Sequence, residues 1–283
     1  MHTPPQTILG TDDFSDLVLN GDVFVDKSLL IKEFLQPSNK ACLITRPRRW
    51  GKSLNMNMLK QFLSIEVDAA GQPLPEEKRM NRRLFVGGKV TLHTGQEKQL
   101  QPLKIAQEAA IVSEYQGQYP VISASLKDIR GSSLPKITSH ARMAISEAFR
   151  AHKYLLNVQE IAQGDKEEFE AYLYKKTSDE ALTDGFRFLS SLLSEHFQKP
   201  VYILIDEYDT PLYDAYLALK DQPEQFKEIL KFFRLLMGSA FKTNSYLAKG
   251  LMTGILRIAK ANILSVLNNV VEFSLLDKRF SPY

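Results

Sequence analysis

Residues 41–53 read ACLITRPRRWGKS and decide the fold, because an apolar run leads through a short basic loop into Gly-Lys-Ser. The run Ala41–Thr45 is typical of a buried strand. After the loop, four apolar residues share one helix face: Leu54, Met58, Phe62 and Ile65. A strand, a tight loop and a helix in this order form the local structure that a phosphate-binding P-loop requires.

The chemistry of this loop suits an anion. Successive backbone N–H groups at the start of a helix point into one concavity, where a negative charge is favoured. We expect Lys52 to reach the β- and γ-phosphates of a nucleotide, and the Ser53 hydroxyl to bind Mg²⁺. Gly51 allows a close approach of the backbone, since a Cβ there would collide with the phosphate.

The loop departs from the pattern G-x-x-x-x-G-K-[ST] at its first position, which holds Arg46 instead of glycine. Pro47 fixes its own φ and removes one N–H donor, and the guanidinium groups of Arg48 and Arg49 can supply donors in its place. The predicted nucleotide-binding residues are contiguous: Arg46, Pro47, Arg48, Arg49, Trp50, Gly51, Lys52, Ser53 and Leu54. The alternative is that the arginines form a solvated basic turn or a nucleic-acid patch.

Further apolar runs follow along the chain: Val121–Leu126, Val201–Ile205, Leu251–Leu256 and Val270–Leu275. Stretches with helical periodicity precede the third and fourth of the five runs, and unbroken apolar runs suit parallel strands covered on both faces. The sequence predicts one α/β domain over residues 1–283. Residues 68–117 are predicted to be an irregular or partly helical insertion, and residues 159–178 a solvated helix pair or loop.

A second candidate motif ends the third run, where Asp206 and Glu207 follow Ile205. In P-loop ATPases an Asp at this place supports Mg²⁺, and the Glu polarises the attacking water. Ligands of such sheets bind at the carboxyl ends of the strands, so both motifs are expected to face one crevice. The alternative is that these carboxylates only cap the next element, and Asp209 with Thr210-Pro211 is expected to shape the turn.

Polar groups also occur within the fourth run and after it. Thr253, which interrupts the run, and Arg257, which follows it, are candidates for sensing the γ-phosphate or the attacking water, and Lys260 is a weaker one. The ordinary alternative is a surface arginine that pairs with an acidic neighbour.

Composition narrows the class of protein. The 283 residues are 44% apolar and 24% charged, which excludes a wholly disordered or fibrous chain. A formal net charge of +3 is too small to predict nucleic-acid binding from bulk charge. The single cysteine cannot form an internal disulfide, and no apolar stretch is long enough to cross a bilayer. We therefore expect a cytoplasmic protein without a membrane partner.

Several strings together carry a family resemblance: Val25-Asp26-Lys27-Ser28, residues 43–55, Ser125-Leu126-Lys127-Asp128, Leu204 through Pro211, and Thr253 through Asn269. They resemble the AAA-ATPase-like proteins of bacteria, which are similar to archaeal-type P-loop ATPases. That family carries Arg-Pro-Arg-Arg-aromatic-Gly-Lys, so Arg46 departs from the general P-loop pattern and not from the family.

The resemblance implies a P-loop three-layer sandwich whose five runs form a sheet of order 5-1-4-3-2, which would place Thr253 and Arg257 beside the γ-phosphate. It also implies ATP and Mg²⁺ as cofactors, and it places residues 25–35 near the adenine. Members commonly continue into a nuclease-like domain of the PD-(D/E)XK type. No nuclease motif occurs here, so that domain is expected to be missing.

The resulting hypothesis is an ATP-binding P-loop protein that hydrolyses ATP with Mg²⁺. The alternative is a nucleic-acid-binding accessory protein with a vestigial nucleotide site, whose binding would weaken steeply with salt and ignore ATP. A small-molecule kinase shares the same loop. Nucleic acid and a partner protein stay open as partners, and an oligomer is compatible with the sequence.

Overall fold

The computed structural model describes residues 10–21, 23–36, 39–92, 94–255 and 270–273. The strands in these ranges are β1 Ala41–Thr45, β2 Gly88–Thr91, β3 Glu97–Leu100, β4 Val121–Ser125, β5 Val201–Asp206, β6 Leu247–Gly254 and β7 Val270–Phe273. The α-helices are α1 Phe14–Asn20, α2 Leu30–Leu35, α3 Lys52–Leu63, α4 Met80–Val86, α5 Ala109–Tyr115, α6 Leu134–Arg150, α7 Gln163–Leu173, α8 Asp179–Leu182, α9 Gly185–Phe197, α10 Thr210–Ala218 and α11 Pro223–Phe241. Short 3₁₀ turns occur at Glu76–Lys78, Lys104–Gln107 and Lys153–Asn157.

Five strands form a parallel sheet of order β4-β5-β6-β1-β7, and β2 pairs with β3 in a separate antiparallel hairpin. The predicted order 5-1-4-3-2 counted the five apolar runs. The hairpin was not predicted and adds two strands to the numbering, so the observed strand numbers differ from the predicted ones. Read from β7, the sheet passes through the fifth, first, fourth, third and second apolar runs. Strand β6 therefore lies between β1 and β5, and the registers pair Ile44 with Thr253 and Ile205 with Met252.

The core has two parts, one on each face of the sheet. Apolar side chains of α6, α7, α9, α10 and α11 cover one face, and those of α1, α2, α3 and α4 cover the other. Every residue of β1 and β5 is buried, as expected for central strands with helices on both sides. The predicted sandwich with helices on both faces is confirmed at this level. In the described ranges no helix has both the length and the apolarity to cross a bilayer.

Residues 68–117 contain α4, α5 and the hairpin, so this segment is more ordered than the sequence indicates. The hairpin is attached by few apolar side chains, chiefly Val90 and Leu100, which join the core on the α3 side. The rest of β2 and β3 is polar. These strands do not stand out in the sequence because only one residue of each is fully buried.

Two further expectations were only partly right. Residues 159–178 contain one helix, α7, and most of the segment is exposed as expected, but α7 also buries Phe169, Tyr172 and Leu173. The Phe169 and Tyr172 rings pack on Phe149. Strand β6 begins at Leu247, four residues before the apolar run. The first half of β6 contains Lys249, so it does not form part of an apolar run in the sequence. The Lys249 ammonium nevertheless lies over the Phe34 ring, 5.3 Å from the ring centre.

Candidate functional site

The loop between β1 and α3 turns sharply before the helix begins. Arg49 has φ 67° and Gly51 has φ 75°, both in the left-handed region. Left-handed residues at such a turn aim successive N–H groups into a concavity. The α3 ladder starts directly afterwards, where the Asn55 N–H donates to the Gly51 carbonyl at 2.8 Å. The loop thus has the backbone form of an anion site at a helix N-terminus.

Lys52, the first residue of α3, reaches back over this loop. Its Nζ donates to the carbonyls of Arg46 at 3.0 Å and Pro47 at 2.9 Å. An ammonium group has three donors, so these two contacts leave one for a further acceptor. Burial lowers the pKa of Lys52, and the nearby carboxylates of Asp206, Glu207 and Asp209 oppose this shift.

Asp206 gathers donors from three parts of the chain. Ser53 Oγ donates to its Oδ2 at 2.5 Å, and Thr253 Oγ1 donates to its Oδ1. The Glu207 N–H also donates to Oδ1, at 3.0 Å. With only 7% of its surface exposed, this carboxylate is fixed in place. The two predicted motifs therefore meet at the carboxyl ends of β1, β5 and β6.

Glu207 follows β5 in an unusual backbone conformation. Its φ of 52° is left-handed, which is uncommon for a residue other than glycine. The side chain is half-buried, and its Oε2 accepts a hydrogen bond from Thr210 Oγ1 at 3.1 Å. Strained backbone of this kind concentrates at functional sites.

Arg46, one of the predicted nucleotide-binding residues, has a buried side chain. Its guanidinium is buried and donates through Nη1 to the carbonyls of Thr45 at 2.9 Å and Phe273 at 3.0 Å. Its backbone N–H donates to the Gly254 carbonyl at 3.0 Å. These contacts tie the ends of β1, β6 and β7 together, so the Arg46 side chain supports the sheet edge on which the loop stands.

The remaining predicted loop residues differ in exposure. Pro47, Arg48, Arg49 and Trp50 are exposed, and Leu54 is half-buried against the core on the α3 side. The guanidinium groups of Arg48 and Arg49 are therefore accessible to an anion. Arg257 and Lys260 lie outside the described residues.

A groove that the sequence did not predict lies beside the Ser53–Asp206 contact. Polar side chains from the residues just before α1, from α3 and from β4 line it, including Asp12, Lys60 and Ser123. No pattern in the sequence joins these residues, because they come from three separate segments.

Asp209 was expected only to shape the turn, but its buried carboxylate also accepts the Ile255 N–H at 2.8 Å.

The donor set fits a magnesium ion that binds together with a nucleotide. Mg²⁺ is commonly held by one or two protein oxygens, water and substrate phosphates, and not by an all-protein cage. A serine hydroxyl and a carboxylate in contact beside the loop match that pattern. Within the described ranges, no three His, Cys, Asp or Glu side chains form a cage of their own.

The same residues identify the family. A family model described as "Predicted AAA-ATPase" matches residues 8–74 and 90–264, which include both motifs. Searches of curated proteins and of solved structures each returned no match. Because the matched ranges make up most of the chain, this protein belongs to the AAA-ATPase-like family of predicted nucleotide-binding ATPases.

Proposed function

We propose that this protein is a Mg²⁺-dependent ATPase that hydrolyses ATP to ADP and phosphate. The observation that carries the proposal is the hydrogen bond of 2.5 Å between Ser53 Oγ and Asp206 Oδ2. It joins residues 153 positions apart, next to a loop shaped for an anion. A mere capping role for Asp206 would not require a serine from the start of another helix.

The phosphate and metal roles follow from position. Lys52 and the loop N–H groups hold the phosphates, with help from the exposed Arg48 and Arg49. Ser53 and Asp206 hold the metal side, and bound Mg²⁺ supplies neutralisation of phosphate charge. Thr253, which is buried and donates to Asp206, keeps that carboxylate oriented.

Glu207 acts as the general base in this proposal. It takes a proton from water while the water oxygen bonds to the γ-phosphorus and the bond from that phosphorus to the bridging oxygen breaks, releasing ADP. Glu207 is half-buried, follows Asp206 directly and lies close enough to Lys52 for its charge to act on that ammonium. Arg257 remains a candidate for contacting the γ-phosphate.

Calorimetry with Mg·ATP tests the binding half of the proposal. We expect Lys52→Ala to abolish measurable binding, because the ammonium bridges the loop carbonyls and is the group proposed to hold the phosphates. Lys136→Ala is the matched control, since Lys136 is an exposed lysine in the first turn of another helix, α6. Equal affinity in the parent protein and Lys52→Ala would remove the proposed site.

Phosphate release tests the hydrolytic half. Glu207→Gln should keep Mg·ATP affinity close to that of the parent and lose turnover by about a hundredfold or more. If Glu207→Gln hydrolyses ATP like the parent, the assigned base is wrong. Transfer of the phosphate to a substrate other than water would indicate the kinase alternative.

The exposed tip of the loop favours a second candidate function. Arg48 and Arg49 stand beside Trp50, which is 45% exposed, and guanidinium groups with an aromatic ring suit a nucleic-acid strand. Binding of a single-stranded oligonucleotide at two salt concentrations, with and without Mg·ATP, tests it. Salt-sensitive binding that ATP leaves unchanged, with no ATP hydrolysis, would support this alternative over the ATPase.

A further inference from the structure

The turn after β5 is tied to the end of β6 by three hydrogen bonds. Thr253 Oγ1 donates to Asp206, and the Tyr208 N–H donates to the Thr253 carbonyl at 3.1 Å. The Ile255 N–H donates to Asp209 Oδ2 at 2.8 Å. We call this closed set of contacts the strand-end ring. It anchors the turn on both sides of a single residue, Glu207.

Gly254 completes the strand-end ring by close packing. A Cβ at this position would lie 2.6 Å from Asp209 Oδ1 and 2.7 Å from Tyr208 Cε1, closer than such contacts allow. Asp209 itself is 3% exposed, so it has little room to move away. The buried carboxylate and the glycine therefore fit each other, and a change on either side should disturb the same contact.

The strand-end ring explains how Glu207 keeps its backbone conformation. A left-handed φ costs free energy for a residue with a Cβ, and it persists only where the surroundings fix it. Asp206 is held from one side and Tyr208 from the other, so the peptide units flanking Glu207 cannot rotate freely. The direction of the Glu207 carboxylate depends on that backbone.

We infer that Asp209 is a positioning residue that holds the Glu207 carboxylate in its working direction through the strand-end ring. The inference rests on the proposed function, since it takes Glu207 as the base. Asp209 acts through Ile255 and Gly254, and does not contact the reacting atoms in this account.

The first test uses two variants that disturb the contact from opposite sides, Asp209→Asn and Gly254→Ala. Each should lower kcat for ATP hydrolysis by about tenfold or more, while the Kd for Mg·ATP stays within about threefold of the parent. In a Glu207→Gln background neither should lower single-turnover hydrolysis further. Glu66→Gln is the control, because Glu66 is also a partly buried carboxylate that accepts two backbone N–H groups, at the start of α4.

These kinetic outcomes decide the role of Asp209. Unchanged kcat in both variants overturns the inference, and so does a further loss in the Glu207→Gln background. Loss of Mg·ATP affinity in parallel with kcat would show that Asp209 supports binding instead. A parent protein that does not hydrolyse ATP would refute the proposed function. The strand-end ring would then be tested by the stability measurement that follows.

A second test needs no activity. Glu207→Gly removes the strain of the left-handed backbone at this position. Glycine also raises the entropy of the unfolded chain, but this effect is the same in every background and therefore cancels in a double-mutant cycle. If the strand-end ring holds the strain, Glu207→Gly should shift Tm upward by about 2 °C more in the parent than in the Asp209→Asn background. Equal shifts in the two backgrounds would show that Asp209 does not hold Glu207, whether or not the protein hydrolyses ATP.

Discussion

Replacing Gly51 by alanine tests whether this glycine is needed for nucleotide binding or only for its left-handed backbone conformation. Gly51 has φ 75°, and a Cβ there meets no protein atom within 4 Å. Gly95, in the turn between β2 and β3, has φ 80° and equally open surroundings. The two positions therefore share the same backbone requirement, but only Gly51 lies in the loop that we expect to hold phosphate.

The expected change in the free energy of unfolding is small and equal for both variants. Left-handed backbone costs alanine about 1–2 kcal/mol relative to glycine. The loss of unfolded-chain entropy returns about 0.4–1 kcal/mol. Gly51→Ala and Gly95→Ala should thus each change stability in urea unfolding by a net loss of about 0 to 1.6 kcal/mol, with a middle value of about 0.8 kcal/mol.

Nucleotide affinity should distinguish the two variants. A methyl group at Gly51 would intrude on the space in which phosphate approaches the backbone, so we expect Kd for Mg·ATP to rise by about tenfold or more, or about 1.4 kcal/mol. Gly95→Ala should leave it unchanged. A phosphate site at Gly51 is refuted if calorimetry shows that Gly51→Ala binds Mg·ATP as the parent does, or that both variants lose affinity equally.

Three further predictions concern the metal, the sheet edge and pH. Ser53→Ala should weaken binding of Mg·ATP by about tenfold and that of ATP in EDTA much less, by calorimetry; equal losses would contradict a metal role. Arg46→Met should cost about 2–4 kcal/mol of stability in urea, because buried acceptors at Thr45 and Phe273 lose their donor; an unchanged midpoint would contradict this. Burial lowers the pKa of His152 from 6.5 to about 4, with Lys60 adding to the shift. The unfolded chain therefore binds a proton first, and stability should fall by about 3 kcal/mol from pH 6.5 to 4; His152→Gln should flatten that slope, and an unchanged slope would exclude His152 as its source.

The phosphate loop could be predicted because its signals are local. A buried strand, a turn and an amphipathic helix follow one another within residues 41–63, and each depends on near neighbours in sequence. The meeting of Ser53 with Asp206 followed from a single rule, that carboxyl ends of parallel strands share an edge. Both predictions needed only the identity of the strands.

The side-chain ties at the strand ends could not be predicted in this way. The position of Arg46 in a basic loop predicts a nucleotide-binding residue, but its hydrogen-bond partners include the Phe273 carbonyl, 227 residues away. Asp209 reads as a turn residue, while its partner lies 46 residues further on. A buried charged group finds donors or acceptors wherever packing brings them, and residue spacing carries no record of that.

The hydrogen bonds on Asp206 bear on how it would serve a metal. A carboxylate offers about four lone-pair sites, and Ser53, Thr253 and the Glu207 N–H occupy three of them. Because the Ser53 hydroxyl donates a hydrogen bond to Asp206, the lone pairs of the Ser53 oxygen point away from Asp206 and are suited to the metal itself. Asp206 is then better placed to accept from Ser53 and from metal-bound water than to bind the ion directly. The carboxylate would thus orient both the serine and the water, and its orientation depends in turn on Thr253 at the end of β6.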